Sequence, residues 1–123
     1  MLWKIFVRYP HGKKDWASEC YSLGIVALGW SKIGDISKVE YRIEVEELLS
    51  KKIDYRSEPK RKLINNSSSL YSFAKEVQVG DLIIMPDSHG KCFYIGEVES
   101  NYYFQSNKRK EDSCPFLHRR KVK

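Results

Sequence analysis

An apolar run, Ile25-Val26-Ala27-Leu28, passes straight into Gly29-Trp30-Ser31 and on to Gly34-Asp35. Four consecutive apolar residues read as a buried strand, so Trp30 falls where that strand leaves the core, at a rim. A large aromatic at a rim can stack on a planar ring, and Asp35 could accept from the ring's polar edge. Trp16, Tyr21, Tyr102 and Tyr103 are the further candidate walls. Stacking plus a few edge hydrogen bonds is how flipped or single-stranded bases are held, while Lys and Arg carry the phosphates. The candidate phosphate contacts are Lys60, Arg61 and Lys62, then Lys108, Arg109 and Lys110, then Arg119 and Arg120 in the closing stretch His118-Arg-Arg-Lys-Val122. Blander roles stay open: Trp30 as a lid on its own core, Asp35 as part of a turn, the charge runs as solvated loops or a basic tail.

Other chemistries find less to work with. The three histidines, His11, His89 and His118, show no spacing to Ser or Cys that suggests a nucleophile and base. His89 and Cys92 are close enough to share a metal, but a second ligand pair is missing, so no metal is expected. A phosphate-cradling Gly-rich loop is absent as well, and no cofactor is expected. Pro86-Asp87 followed by Glu97-Val98-Glu99 imitates the carboxylate framework of metal-dependent nucleases, yet Glu99 stands where a Lys should activate water, and Asp87 falls in a turn. The chain is therefore read as a binding domain, not an enzyme.

Positioning those residues requires a sheet. Leu2 to Tyr9 alternates as a first strand ended by Pro10-His11-Gly12, and Lys13 to Tyr21 reads as loop. Ser37 and Glu40 have capping-box spacing ahead of a helix over 38–51, with Val39, Ile43, Val45, Leu48 and Leu49 on its apolar side and an acidic opposite face. Asp54 to Ser69 reads as a flexible connection whose Asn65-Asn-Ser-Ser-Ser69 tract ends in an N-cap, followed by a short helix through Leu70, Phe73, Ala74 and Val77. Leu82 to Met85 and Phe93 to Glu99 flank a hairpin turn at 87–90, Tyr102 to Phe104 begins another strand, and Phe116 to Lys123 closes the chain. The fold class expected is α+β: a small, strongly bent sheet or barrel of about six strands with two or three flanking helices.

With 123 residues, one domain is expected over 1–123, and its abrupt end at Val122-Lys123 reads as a domain excised from a longer protein. Lys and Arg number 22 against 16 Asp and Glu, a net charge of +6 that favours a polyanionic partner. Three widely spaced cysteines and a polar opening without a secretory leader place the chain in a reducing, cytoplasmic setting. No apolar run reaches the roughly 20 residues needed to span a bilayer, so no membrane role is expected.

The order of motifs, Val7-Arg8, Ala27-Leu-Gly-Trp30 with Gly34-Asp35, Phe73-Ala74, Gly80-Asp81-Leu-Ile-Ile-Met-Pro86, Tyr94-Ile-Gly-Glu-Val98 and His118-Arg-Arg-Lys-Val122, resembles the N-terminal domain of Mrr-type restriction enzymes and related prokaryotic defence proteins. That domain is similar to the EVE and YTH domains of the PUA-like superfamily. The resemblance implies a PUA-like β-barrel whose aromatic pocket holds a base, often a modified one, with Trp30 as the pocket wall, Ser31 and Asp35 near its mouth and Tyr102 or Tyr103 as a second wall. The Trp-x-Gly-Val-Arg-Asn signature of EVE domains is not present. The function expected is a specificity module that recognises a flipped, modified base in double-stranded DNA for a fused or partner nuclease. Alternatives are an RNA-binding PUA-like module, a small metal-dependent nuclease using Asp87, Glu97 and Glu99, and a protein-interaction domain docking through the acidic helix from Val39 to Leu49.

Overall fold

Alternation near the N-terminus sets the first layer: Trp3, Ile5 and Val7 turn inward while Lys4, Phe6 and Arg8 stay exposed. The computed structural model describes residues 1–8, 14–87, 91–107 and 109–123. Strand β1 (Leu2–Lys4) pairs in parallel with β3 (Leu82–Pro86), which forms an antiparallel hairpin with β4 (Phe93–Glu97). The second sheet has β6 (His118–Lys121) at its centre, antiparallel to β2 (Ile25–Leu28) on one side and to β5 (Tyr103–Phe104) on the other.

The two sheets meet where the ends of β4 and β6 cross. Val98 bridges Val122, and the Glu97 and Lys123 backbones exchange hydrogen bonds of 2.9 and 3.0 Å. Gly96 permits the crossing, since a Cβ there would lie 3.1 Å from the Val122 Cβ. Six strands and three α-helices among the described residues make a small α+β fold.

Three local expectations are corrected. The segment read as loop before Tyr21 holds α1 (Ala17–Leu23), started by the Asp15 carboxylate accepting the Ala17 N–H at 3.0 Å and stopped by Gly24 in the left-handed conformation. Helix α2 (Arg42–Lys52) starts four residues later than expected, because it is the Glu44 side chain that accepts the Tyr41 N–H, at 3.2 Å. Ser37 belongs instead to a turn closed on the Asp35 carboxylate. The Asn/Ser tract, read as a connection, lies inside α3 (Lys60–Tyr71), where Leu63, Ser67 and Leu70 recur at helical spacing. Its polar groups are partly consumed locally: Ser67 Oγ donates to the Leu63 carbonyl at 2.7 Å and Asn66 Nδ2 to the Tyr55 hydroxyl at 3.0 Å. Beyond Tyr71 the helix widens into a π-helical turn, Ser72–Glu76.

Packing forms two apolar clusters. Val7, Cys20, Val26, Phe73, Ile83, Met85 and Phe116 fill the space between the sheets, while Ile33, Ile36, Val45, Leu49 and Leu70 join α2 and α3. Leu28 and Tyr102 touch both clusters, so the exit of β2 lies at their junction. Cys20 and Cys114 are buried, with sulfurs 3.8 Å apart. Among the described residues no helix is long and apolar enough to cross a membrane.

Candidate functional site

At that junction the chain leaves β2 through Gly29, and Trp30 adopts φ 63° and ψ 38°. A bulky aromatic in left-handed backbone costs about 1–2 kcal/mol and persists only where its surroundings impose it. Here they do so through a chain of hydrogen bonds. The Trp30 carbonyl accepts from His118 Nε2 at 3.0 Å, so Nε2 carries the ring proton and Nδ1 accepts from the Tyr102 hydroxyl at 2.7 Å. The Tyr102 oxygen in turn accepts the Ile36 N–H at 3.2 Å. Ser31, the first residue of a 3₁₀ turn (Ser31–Ile33), accepts the Leu117 N–H on its hydroxyl at 3.2 Å.

Burial pushes His118 below its ordinary value, which keeps the ring neutral as this arrangement requires, and burial raises the Tyr102 phenol to about 12. Protonated His118 would need an acceptor at Nδ1, where it now meets a hydroxyl that is itself the donor. Because the folded-state pKa is depressed, the unfolded chain binds the extra proton first as pH falls. The stability due to this network is complete above about 6.5, the value for free histidine, and is lost as pH falls from there toward the lowered folded-state value. The thermal midpoint is expected to drop across that window, and in His118→Gln, whose amide can still donate to Trp30, this part of the pH response should vanish.

Trp30 stands between two open cavities. The first, about 460 Å³, is lined by Trp3, Lys4, Phe6, Trp30 and Phe73 together with Ser68, Ser69 and Ser72. The second, about 370 Å³, is lined by Phe6, Arg8, Trp30, Ser31, Lys32 and Phe116. Trp3 is fixed by its indole N–H, which donates to Asp81 at 2.8 Å. The Gln78 N–H and that indole hold the Asp81 carboxyl down to about 2. The exposed Phe6 ring carries Lys4 Nζ at 5.2 Å and Arg8 Cζ at 4.8 Å from its centroid.

One further irregularity falls on the first cavity besides the left-handed Trp30. The π turn brings Ser72 and Phe73 to its wall. The Ser68 and Ser69 hydroxyls have no hydrogen-bond partner among the described residues and line the same space.

Of the residues expected to form a base pocket, Trp30 and Ser31 line these cavities and the others do not. Asp35 does not line either cavity; its carboxylate accepts the Ser37 N–H at 2.8 Å, the turn role. Tyr102 is no opposing wall, since its hydroxyl is spent on His118 and Ile36, and it supports Trp30 from behind. Tyr103 sits half-buried on β5 opposite Arg119, its phenol raised by burial. Trp16 packs edge-on against Phe116 with centroids 5.3 Å apart, behind the second cavity. Tyr21, exposed on α1, leans on Tyr94 at 4.9 Å, away from both cavities.

The cationic groups divide in the same way. Lys60, Arg61 and Lys62 form the first turn of α3, about 10–14 Å along the helix from Ser69, with Lys62 paired to Glu58 at 3.2 Å. Arg109 and Lys110 are exposed between β5 and β6, and Lys108 lies outside the described residues. Arg119 and Arg120 are 3% and 2% exposed, so neither can contact a phosphate. Arg119 grips both Asp112 oxygens and the Phe116 and Cys114 carbonyls, while Arg120 donates to the Ser100 and Phe73 carbonyls, each at 2.9 Å. A run that reads as a solvated tail is the central strand of a sheet, tolerated because its guanidinium groups find partners inside.

The nuclease framework is not assembled either. Glu97 pairs with Leu82 at one end of the β3–β4 hairpin and Asp87 follows Pro86 at the other, about 16 Å along the strand. Asp87 accepts from the Lys91 N–H and the Cys92 thiol. Groups of three potential metal ligands are absent among the described residues; His11 and His89 lie outside them.

Reading the sequence for rim aromatics missed Trp3, Phe6 and their cations Lys4, Arg8 and Lys32. The signal was present: alternation from Leu2 to Arg8 puts Lys4, Phe6 and Arg8 on one exposed face. No curated protein and no solved structure matches the chain. The model of the DUF8426 family, described as a domain of unknown function, matches residues 3–123, and the chain belongs to that family.

Proposed function

We propose that the cavity between Trp3, Phe6 and Trp30 receives a nucleobase, modified and turned out of duplex DNA, and that the domain serves as the specificity module of a fused or partner nuclease in the cytoplasm. The observation that carries this reading is Trp30 itself, an indole held at the cavity in backbone that costs energy and contributes no strand pairing. Aromatic walls offer the stacking surface, and the unpaired hydroxyls of Ser68 and Ser69 offer both donors and acceptors to a base edge. Lys4, Arg8 and Lys32 stand where the flanking phosphates would run, and the net charge of +6 favours the approach of a polyanion. The two sheets joined at Val98 and Val122 would then be a PUA-like bent sheet, the fold that the resemblance to EVE and YTH domains implies.

Fluorescence anisotropy with duplexes that differ in a single modified base tests the proposal. A preference for one modified duplex that persists as salt is raised is expected, because charge contacts weaken with salt and base contacts do so far less. Equal affinity for all duplexes, vanishing together at moderate salt, would refute base recognition. Competition by RNA of the same sequence distinguishes an RNA module from a DNA module.

A further inference from the structure

Building on the base-pocket reading, we infer that the domain binds two adjacent nucleotides at once, one base in each cavity, with Trp30 and Phe6 as the partition between them. Both residues line both cavities, and each cavity falls within the roughly 300–1,000 Å³ typical of small-molecule sites. A nucleotide pair splayed over an aromatic partition exchanges its own base–base stacking for stacking on protein rings, and its linking phosphodiester must cross the top of the partition. Two cations lie against that partition. Lys4 and Arg8 flank the Phe6 ring, Lys4 opening on the first cavity and Arg8 on the second.

The two compartments differ in what they can read. Free hydroxyls at Ser68 and Ser69 give the first an edge-specific character. In the second, the Ser31 oxygen already accepts from Leu117 and Phe116 is buried beneath the surface, so Lys32 offers a charge, which suits any base. Specificity therefore belongs to the first cavity, and the second adds affinity with tolerance for the neighbouring base.

Titration of the full chain, followed by tryptophan fluorescence, with a deoxymononucleotide, the deoxydinucleotide containing it, and dinucleotides in which one base or the other is missing tests this directly. The dinucleotide is expected to bind at least about tenfold more tightly than the mononucleotide, and loss of either base should return it to the mononucleotide's affinity. Ser69→Trp, which fills the first cavity, and Lys32→Glu, which reverses the charge at the second, should each shrink that step. Mononucleotide and dinucleotide binding equally, or a missing second base making no difference, would overturn the two-base inference and leave single-base recognition standing. Absence of binding by every one of these ligands would remove both.

Discussion

Arg120→Ala is expected to lower the unfolding free energy by about 3 kcal/mol or more, read as a fall in the urea midpoint at unchanged slope. Truncation empties a volume at the centre of the second sheet and strips the part-buried Ser100 carbonyl and the buried Phe73 carbonyl of their donors. The Phe73 carbonyl is left a desolvated acceptor, and the lost packing adds to that. Arg120→Lys should recover little, because one ammonium on a flexible stem cannot serve two carbonyls held apart by a planar fork. Arg61→Ala, on the exposed first turn of α3, should stay within about 0.5 kcal/mol of the parent and is the control. A loss at Arg120 no larger than at Arg61 would contradict the placement of β6 inside the fold. Because Phe73 also lines the first cavity, Arg120 fixes the π turn that shapes it.

Trp30→Ala is expected to weaken oligonucleotide binding by roughly 5- to 150-fold, the range for loss of one aromatic stacking partner. Its companion, Trp30→Gly, separates the pocket from the fold. Glycine adopts left-handed backbone without a Cβ penalty, so Trp30→Gly should be more stable than Trp30→Ala by about 1 kcal/mol. Both should lose the same binding. If Trp30→Ala bound as the parent does, Trp30 would be only a lid over its own core and the base-pocket reading would fail. If alanine and glycine were equally stable, the left-handed geometry would carry no cost and would lose its weight as a functional signal.

The strands from Ile25, Leu82 and Phe93 were legible because short apolar or alternating runs bounded by Gly, Pro and Asp have few other solutions. Helix α3 was not, since Asn65, Asn66, Ser68 and Ser69 are turn formers by propensity, and the packing of Leu63 and Leu70 against Val45 and Leu49, with the Asn66–Tyr55 bond, holds them in a helix. The closing basic segment misled for a related reason. Charge predicts exposure unless partners exist, and the partners of Arg119 and Arg120 lie on segments as distant as Phe73, Ser100 and Asp112. At the site, Trp30 was visible as an aromatic leaving a strand, but the residues opposite it depend on β1 lying in parallel beside β3, a pairing no local pattern announces.

The bond between Trp30 and His118 has a temporal side. It joins residues 88 positions apart, and the Trp3 indole reaches 78 positions to Asp81. Loop closures of that length come late, after neighbours such as α2 and α3 have docked through contacts close in sequence. A chain can thus hold most of its helix while its cavity walls are still unset. On the base-pocket reading, competence to bind then arrives with the last long-range closure, and a partly folded molecule is expected to be inert toward ligand rather than weakly active.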